Sequence, residues 1–271
     1  MKRPNKIVIA FFIFIHLGAL LAFIPSTFCW SAVALMIFMH WLTASVGICL
    51  GFHRYLTHQA VILPKWLDYI ITTIGTLACQ NGPINWVAHH RMHHGGSDTA
   101  MDPHNASEGF WWSHIGWMCY TQHKFDHPAR ITRFARDISD NRYYQFLDKH
   151  FILLQIGLAI LFYLLGGVSW VVWGIFVRLV LVYHSTWFVN SACHIFGYKN
   201  FKLDFDRSTN CWWSAILSYG EGWHNNHHAD PKRANNRVKA FEIDPTFIFI
   251  KILEKLGCLK LARRRLTSIQ T

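Results

Sequence analysis

Charge is scarce in this chain. Asp, Glu, Lys and Arg make up 15% of its 271 residues, against roughly 25% in an average soluble domain. Acids are the scarcer sign, 15 against 26 bases. The seven cysteines (Cys29, Cys49, Cys79, Cys119, Cys193, Cys211, Cys258) include no CxxC pair. That argues against a zinc ribbon or a disulfide framework and reads as inert buried thiols. GxGxxG, P-loop and haem-binding segments are missing, as are repeats and low-complexity tracts.

Apolar residues fill the space that charge leaves: 52% are hydrophobic and 13 are tryptophan. Four stretches suit membrane-spanning helices, at about 7–24, 29–50, 151–165 and 168–189. The first follows MKRPNK, a start like that of a signal peptide, but no small-x-small cleavage site comes after it, so it reads as an uncleaved span. The connections Pro25–Ser26–Thr27 and Gly166–Gly167 carry no Lys or Arg; the bases lie before residue 7, between 54 and 149, and after 198. The positive-inside rule then puts both termini and the long middle loop in the cytoplasm. The net charge of +11 fits loops meeting anionic lipid, and the apolar segments argue against nucleic acid as a partner. The expected fold is an all-α, multi-pass integral membrane protein of one domain, 1–271. It has four transmembrane helices in two hairpins under a helical cytoplasmic cap, 51–150 and 190–271. Residues 66–80, too short to span and carrying Asp68, suit an interfacial helix, and 246–258 an amphipathic surface helix.

The histidines number 18, and their placement is patterned. His53 and His58 (HRYLTH) stand where the second span ends. His90, His93 and His94 (HRMHH) lie in the middle loop, and His224, His227 and His228 (HNNHH) near the C-terminus. His194 follows the fourth span, four residues after Asn190. On a helix, i, i+3 and i+4 share a face, so each HxxHH run would aim three imidazoles at one point, and Asn190 and His194 would share a face. The five-residue step from His53 to His58 calls for a helix end or kink. One HxxHH alone is more often incidental than a site, but four such groups on one side of the membrane read as a metal centre. Nine imidazoles exceed the three or four that one ion takes; two ions with four or five nitrogens each fit the count. Imidazole suits iron, copper, zinc and nickel alike. Of the other histidines, His16 and His40 fall inside spans and read as paired or interfacial. His104, His114, His123, His127, His150 and His184 read as supporting, surface or packing residues. A pH switch would not need this spacing.

HRYLTH, HRMHH and HNNHH, in this order with the hairpins around them, resemble the membrane fatty acid desaturases. GFHRYLTH, DPHN, GFWWSHIGW, TWFVNSACH and NCWWSAILSYGEGWHNNHH are similar to the Δ9, stearoyl-type branch. The resemblance implies two non-haem irons held by His53, His58, His90, His93, His94, His194, His224, His227 and His228, with Asn190 reaching one through a water; it leaves their division between the ions open. It also implies O₂ as oxidant and removal of two hydrogens from a saturated acyl chain. Asp102, Glu221 and Glu108 are candidates for acids that orient the ligating histidines. In the resembling family a bent apolar tunnel presents C9 and C10, its kink held by residues matching Gln80, Trp86 and Thr186; Asn81 matches a head-group contact and Trp187 a wall residue. Arg178, in the fourth span, needs a partner there, and a structural ion pair is expected.

One departure bears on the carrier. Where acyl-CoA members of the branch have an Arg before HxxHH and an Arg-Lys pair after SHxGW, this chain has Ala88 and Thr121–Gln122. Losing phosphate-pairing cations favours an acyl lipid, in the cyanobacterial-type pattern, over acyl-CoA, although Lys124, Arg130 and Arg133 remain near. Electrons would come from a separate ferredoxin or cytochrome b5-like donor, suited to a basic face. The alternatives are a related di-iron hydroxylase or monooxygenase acting on lipid and, more distantly, a histidine-rich metal transporter or sensor, which would place its ligands inside the spans.

Overall fold

The computed structural model describes residues 2–204 and 206–262; residues 263–271, the expected end of the cap, lie outside the described residues. The chain is mostly helical. Two short antiparallel pairs, β1 (Arg3–Pro4) with β3 (Tyr120–Thr121) and β2 (Val61–Ile62) with β4 (Lys260–Leu261), tie its ends to the cap.

Helix α1 (Lys6–Leu20) is capped by Asn5, whose side chain accepts from Val8 N. Two 3₁₀ turns, Leu21–Phe23 and Pro25–Thr27, lead to α2 (Trp30–His40), which runs on as a π-helix over Trp41–Thr57. In the cap, α3 (Lys65–Thr76) and α4 (Pro83–His94) are followed by three short helices, α5 (Trp117–Cys119), α6 (His123–Asp126) and α7 (Pro128–Phe134). The long α8 (Arg142–Val171), a π segment Val172–Val177 and α9 (Arg178–Ser191) form the second apolar block. The C-terminal cap holds α10 (Trp212–Leu217), α11 (His224–Ala229) and α12 (Pro245–Lys255).

Three helical runs among the described residues are long and apolar enough to cross a membrane: Lys6–Phe23, Trp30–Thr57 and Arg142–His194. The last comprises 53 residues and is not straight. Gly167 sits at φ 64°, ψ −158°, backbone that a side chain disfavours. A Cβ built on Gly174 would lie 2.9 Å from the Phe162 ring, whereas twelve residues of straight helix span about 18 Å. The chain therefore folds back at Gly167, giving the expected hairpin. Its first arm begins at Arg142, earlier than the expected 151, because the helix extends into the cap.

Three devices brace the cap. At Gly47 a Cβ would meet Gly75 Cα at 2.6 Å, so only glycine lets α3 cross the π-helix this closely. Asp148 on α8 accepts from Ile84 N (3.1 Å) and Asn85 Nδ2 (2.8 Å). It thereby satisfies a free N–H at the start of α4, whose own N-cap Gly82 offers no side chain. Asp68 is buried and accepts from Tyr144 Oη (2.6 Å), tying α3 to α8. Arg178 departs from expectation. It is fully buried, but donates to the carbonyls of Gly174 (2.9 Å) and Leu77 (2.7 Å) rather than to an acid. Leu77 follows the last turn of α3, where carbonyls lack helical partners and the dipole favours a cation.

Candidate metal centre

The nine histidines of the four motifs form two clusters. His53, His58, His90, His94 and His227 offer nitrogens within 4.8 Å of one another, and His93, His194, His224 and His228 do the same. Both HxxHH runs are helical, on α4 and α11, but neither aims three rings at one point. At 3.6 residues per turn, i and i+4 are offset by about 40°, while i+3 lies about 100° from i+4. His90 and His94 therefore share the first cluster and His93 turns to the second; on α11, His224 and His228 share the second and His227 turns to the first. Each helix lends its pair to one cluster and its odd ring to the other.

The step from His53 to His58 is resolved by winding. Trp41–Thr57 is π-helical, so backbone bonds run i to i+5, and His58 N donates to His53 O at 3.1 Å. Residues five apart then share a face, and the two rings sit 4.8 Å apart. The helix also ends there, with His58 as its C-cap. His194 is not on a common helical face with Asn190: α9 stops at Ser191 and His194 follows in a 3₁₀ turn. That turn delivers its ring to the second cluster.

Acids stand at the outer nitrogens of four of these rings, by hydrogen bond at His93, His194 and His228 and by close contact at His53. The Nδ1 atoms of His53, His93, His194 and His228 stand 2.8, 2.8, 2.8 and 2.5 Å from Glu221, Asp102, Asp98 and Asp206. Asp102 and Glu221 are thus where the sequence suggests. Glu108 is not: it is exposed and pairs with Lys2. Asp98 and Asp206 escape motif reading, since GGSD and LDFD have no spacing that marks a ligand's partner.

A carboxylate at Nδ1 keeps the proton there and leaves Nε2 with a lone pair. Yet inward Nε2 atoms meet at close range: His227 lies 3.0 Å from both His53 and His94, His94 3.1 Å from His90, and His93 3.2 Å from His228. Buried His58 Nε2, His194 Nε2 and both ring nitrogens of His224 have no hydrogen-bond partner among the described residues. Converging lone pairs and orphaned nitrogens are what cations would satisfy. Burial, with the charge of neighbouring histidines, holds His58, His90, His94, His224, His227 and His228 well below the ordinary imidazole range, keeping them neutral. Burial would also lower His93, but Asp102, together with Asp98 and Asp206, outweighs it and raises that ring.

Behind the first cluster, Arg54 is buried in bidentate contact with Asp244 (3.0 and 3.0 Å) and Glu221 (2.9 and 3.2 Å). Burial alone would raise the Glu221 carboxyl; Arg54 and His53 bring it down to about 2. His104 packs against His93, ring centroids 4.3 Å apart and tilted by 31°, and burial lowers it to about 3.

A cavity of about 540 Å³ leads to the clusters. Gln80, Asn81, Trp86, Thr186, Trp187 and Asn190 line it, together with His90 and His104. Trp86 Nε1 donates to Gln80 Oε1 (3.3 Å), and Gln80 Nε2 donates to Thr186 Oγ1 (3.0 Å). Trp86 also stacks on His90 at 5.0 Å. Beyond this chain a smaller chamber continues, lined by Ala44, Ile48, Val189, His53 and His224. Of the remaining histidines, His16 pairs with His184 (3.1 Å) and His40 with Tyr219 Oη (2.8 Å).

Residues 27–242 match the fatty acid desaturase family. The chain is 52% identical over 253 residues to the sn-1 stearoyl-lipid 9-desaturase of Anabaena variabilis, covering 93% of this chain and 92% of that one. It is 51% identical to the protein of the same name from Synechocystis sp. (95% and 80% covered) and 48% identical to the sn-2 palmitoyl-lipid 9-desaturase of Nostoc sp. (93% and 88%). With its histidine clusters beside an apolar cavity, the chain belongs to the fatty acid desaturase family and is an oxidoreductase of lipid metabolism.

Proposed function

We propose that this protein is a multi-pass membrane enzyme that introduces a Δ9 double bond into saturated acyl chains carried on membrane lipids. Two irons would be held, one by His53, His58, His90, His94 and His227, the other by His93, His194, His224 and His228 with Asn190 through a water. The observation that carries this reading is the convergence of nine buried or half-buried imidazoles at two adjacent points, four with an acid at the outer nitrogen and His58, His194 and His224 with a ring nitrogen left unpaired. With O₂ and electrons from a separate ferredoxin or cytochrome b5-like donor, the ions supply the oxidising power that an unactivated methylene demands.

The balance is simple. The chain loses one hydrogen from each of two adjacent carbons, and O₂, with two electrons and two protons from outside, leaves as two waters. The protein's own part is geometric. Asp98, Asp102, Asp206 and Glu221 hold the Nδ1 protons so that Nε2 faces inward. Phe11, Phe12, Met118, Phe151 and Tyr183 line the cavity and keep it dry. Neighbouring methylenes are chemically alike, so position must come from how the chain lies. The Trp86–Gln80–Thr186 chain of hydrogen bonds fixes a bend at the junction of cavity and chamber, and Asn81 and Trp187 complete the wall. The fold-back at Gly167 and the distribution of bases support a reading with four spans and with both termini and the metal centre cytoplasmic.

Expression in a host unable to make monounsaturated lipids, with gas chromatography of each lipid pool, tests the reading. Δ9 monoenes in glycerolipids are expected. Hydroxylated chains would favour the monooxygenase alternative, and unchanged saturated lipids would refute both.

A further inference from the structure

The cavity's flank is also part of the molecule's outer surface. On one side it is lined by Ile7, Val8 and Phe11 of α1, on the other by Phe151 and Ile152 of α8. Ile7 is 83% exposed and Ile152 38% exposed, so cavity wall and lipid-facing surface coincide. The two helices do not seal this seam by packing along each other. α1 packs on α5, α9 and the π segment Val172–Val177, whereas α8 packs on that segment, α2, α3 and α4. Both α1 and α8 belong to the apolar runs that suit a membrane, and the seam lies close to where each leaves its polar end, at Lys6 and Lys149.

The rim has a matching chemistry. Its polar members are Asn5, Asn81, His89, Gln122 and Asp126. Among the described residues, none lining the cavity is Lys or Arg, and the one carboxylate is Asp126. Of the neighbouring bases, Lys6 lies between Asn5 and Ile7 without lining the cavity, Arg91 is held by Asp137, and Lys124 is turned away to the Ala100 carbonyl (2.7 Å). A nucleotide carrier with several phosphates finds no cation here to pair with. An uncharged ester finds amide donors: Asn5 spends its oxygen on Val8 N (3.3 Å) and keeps its N–H groups.

We propose that the acyl chain enters sideways from the bilayer through the seam between α1 and α8, its glycerol ester held at the Asn5–Asn81 rim while the lipid head group stays outside. The inference rests on the desaturase reading, and it adds the route and the residues that select the carrier. Val8 and Ile152 are the jambs of this portal.

Two measurements test it. In the first, the full-length protein in vesicles of 1-stearoyl-2-oleoyl phosphatidylcholine is irradiated with a trace of the same lipid bearing a photoactivatable diazirine on its stearoyl chain. Adducts should concentrate on Ile7, Val8, Phe151 and Ile152, and a pattern no denser there than at Leu164, an exposed apolar residue farther along α8, would overturn the portal whether or not the protein turns over. In the second, the iron-loaded protein with a reduced donor is assayed on the lipid and on stearoyl-CoA in the same vesicles. Val8→Trp and Ile152→Trp should each lower lipid turnover at least tenfold with iron content unchanged, while Leu164→Trp leaves it intact. Equal turnover of stearoyl-CoA, or full lipid turnover in both jamb variants, would overturn the proposal. If no carrier is desaturated, it is the desaturase reading that fails, and the adduct pattern still decides the portal.

Discussion

His93 and His94 are neighbours in the chain, yet their rings serve different clusters: His94 Nε2 lies 3.0 Å from His227, and His93 Nε2 lies 3.2 Å from His228. A hundred degrees of helix separates them, and the two clusters stand on either side of that angle. His93→Ala and His94→Ala should therefore each strip the protein of a different ion. Iron per chain, measured by plasma emission spectrometry on the purified variants, should fall by one ion in each and by both in the double variant. Loss of both ions from either single variant would mean that the clusters do not bind independently.

Asp98 and Asp206 carry no motif, but each holds the outer nitrogen of a clustered histidine. Asp98→Asn and Asp206→Asn should weaken metal binding roughly 10- to 100-fold, read as the chelator concentration that removes half the iron. Glu108→Gln, on an exposed acid paired with Lys2, should leave that concentration unchanged. Equal behaviour of all three would deny the carboxylates their orienting role.

Arg54 joins Glu221 and Asp244 in a buried network. Removing one partner strands buried charge, so Arg54→Met should cost about 3–5 kcal/mol. Arg54→Lys should restore little, because lysine cannot meet two carboxylates in bidentate fashion. Denaturant titration in detergent measures both, and a wild-type midpoint for Arg54→Met would contradict the network's importance.

Thr186→Val and Gln80→Leu each cut the chain of hydrogen bonds at the proposed bend of the cavity. Losing Gln80 leaves the Trp86 indole N–H without its acceptor, at a cost of about 1–3 kcal/mol if it stays buried. With the bend loosened, double bonds should spread from Δ9 to neighbouring positions, as read by mass spectrometry of dimethyl disulfide adducts. A single Δ9 product from both variants would separate the bend from position.

Six clustered imidazoles are depressed from an ordinary 6.5, chiefly by burial. Below that pH the unfolded chain takes up protons that the folded chain does not, so stability present above pH 6.5 is lost as pH falls. Glu221, depressed from 4.5 to about 2, adds a further loss between those values. The Tm of the metal-free protein should drop steadily from pH 6.5 downward; a Tm constant between pH 7.5 and 5 would show that these rings titrate normally.

The sequence made the apolar helices and the gathering of the nine motif histidines legible, because apolar length and repeated histidine spacing are local signals. The division of the ligands was not, since it depends on where α4 and α11 face each other. His53 and His58 looked incompatible with one face because the reading assumed α-helical winding, and nothing local in HRYLTH announces a π-helix. Arg178 looked like half of an ion pair because the carbonyl it meets, Leu77, becomes a neighbour only through packing. The supporting acids were half visible: Asp102 and Glu221 serve histidines of a nearby motif, whereas Asp98, though it follows HRMHH closely, turns to His194, and Asp206 reaches His228 across the fold.

The most direct test supplies the iron-loaded protein, with a reduced donor and O₂, with a stearoyl lipid fully deuterated at C9 and C10, and weighs the product. A Δ9 desaturation removes one deuterium from each carbon and adds no oxygen. A product that keeps all its deuterium, or gains an oxygen, would contradict a metal centre placed to oxidise that bond.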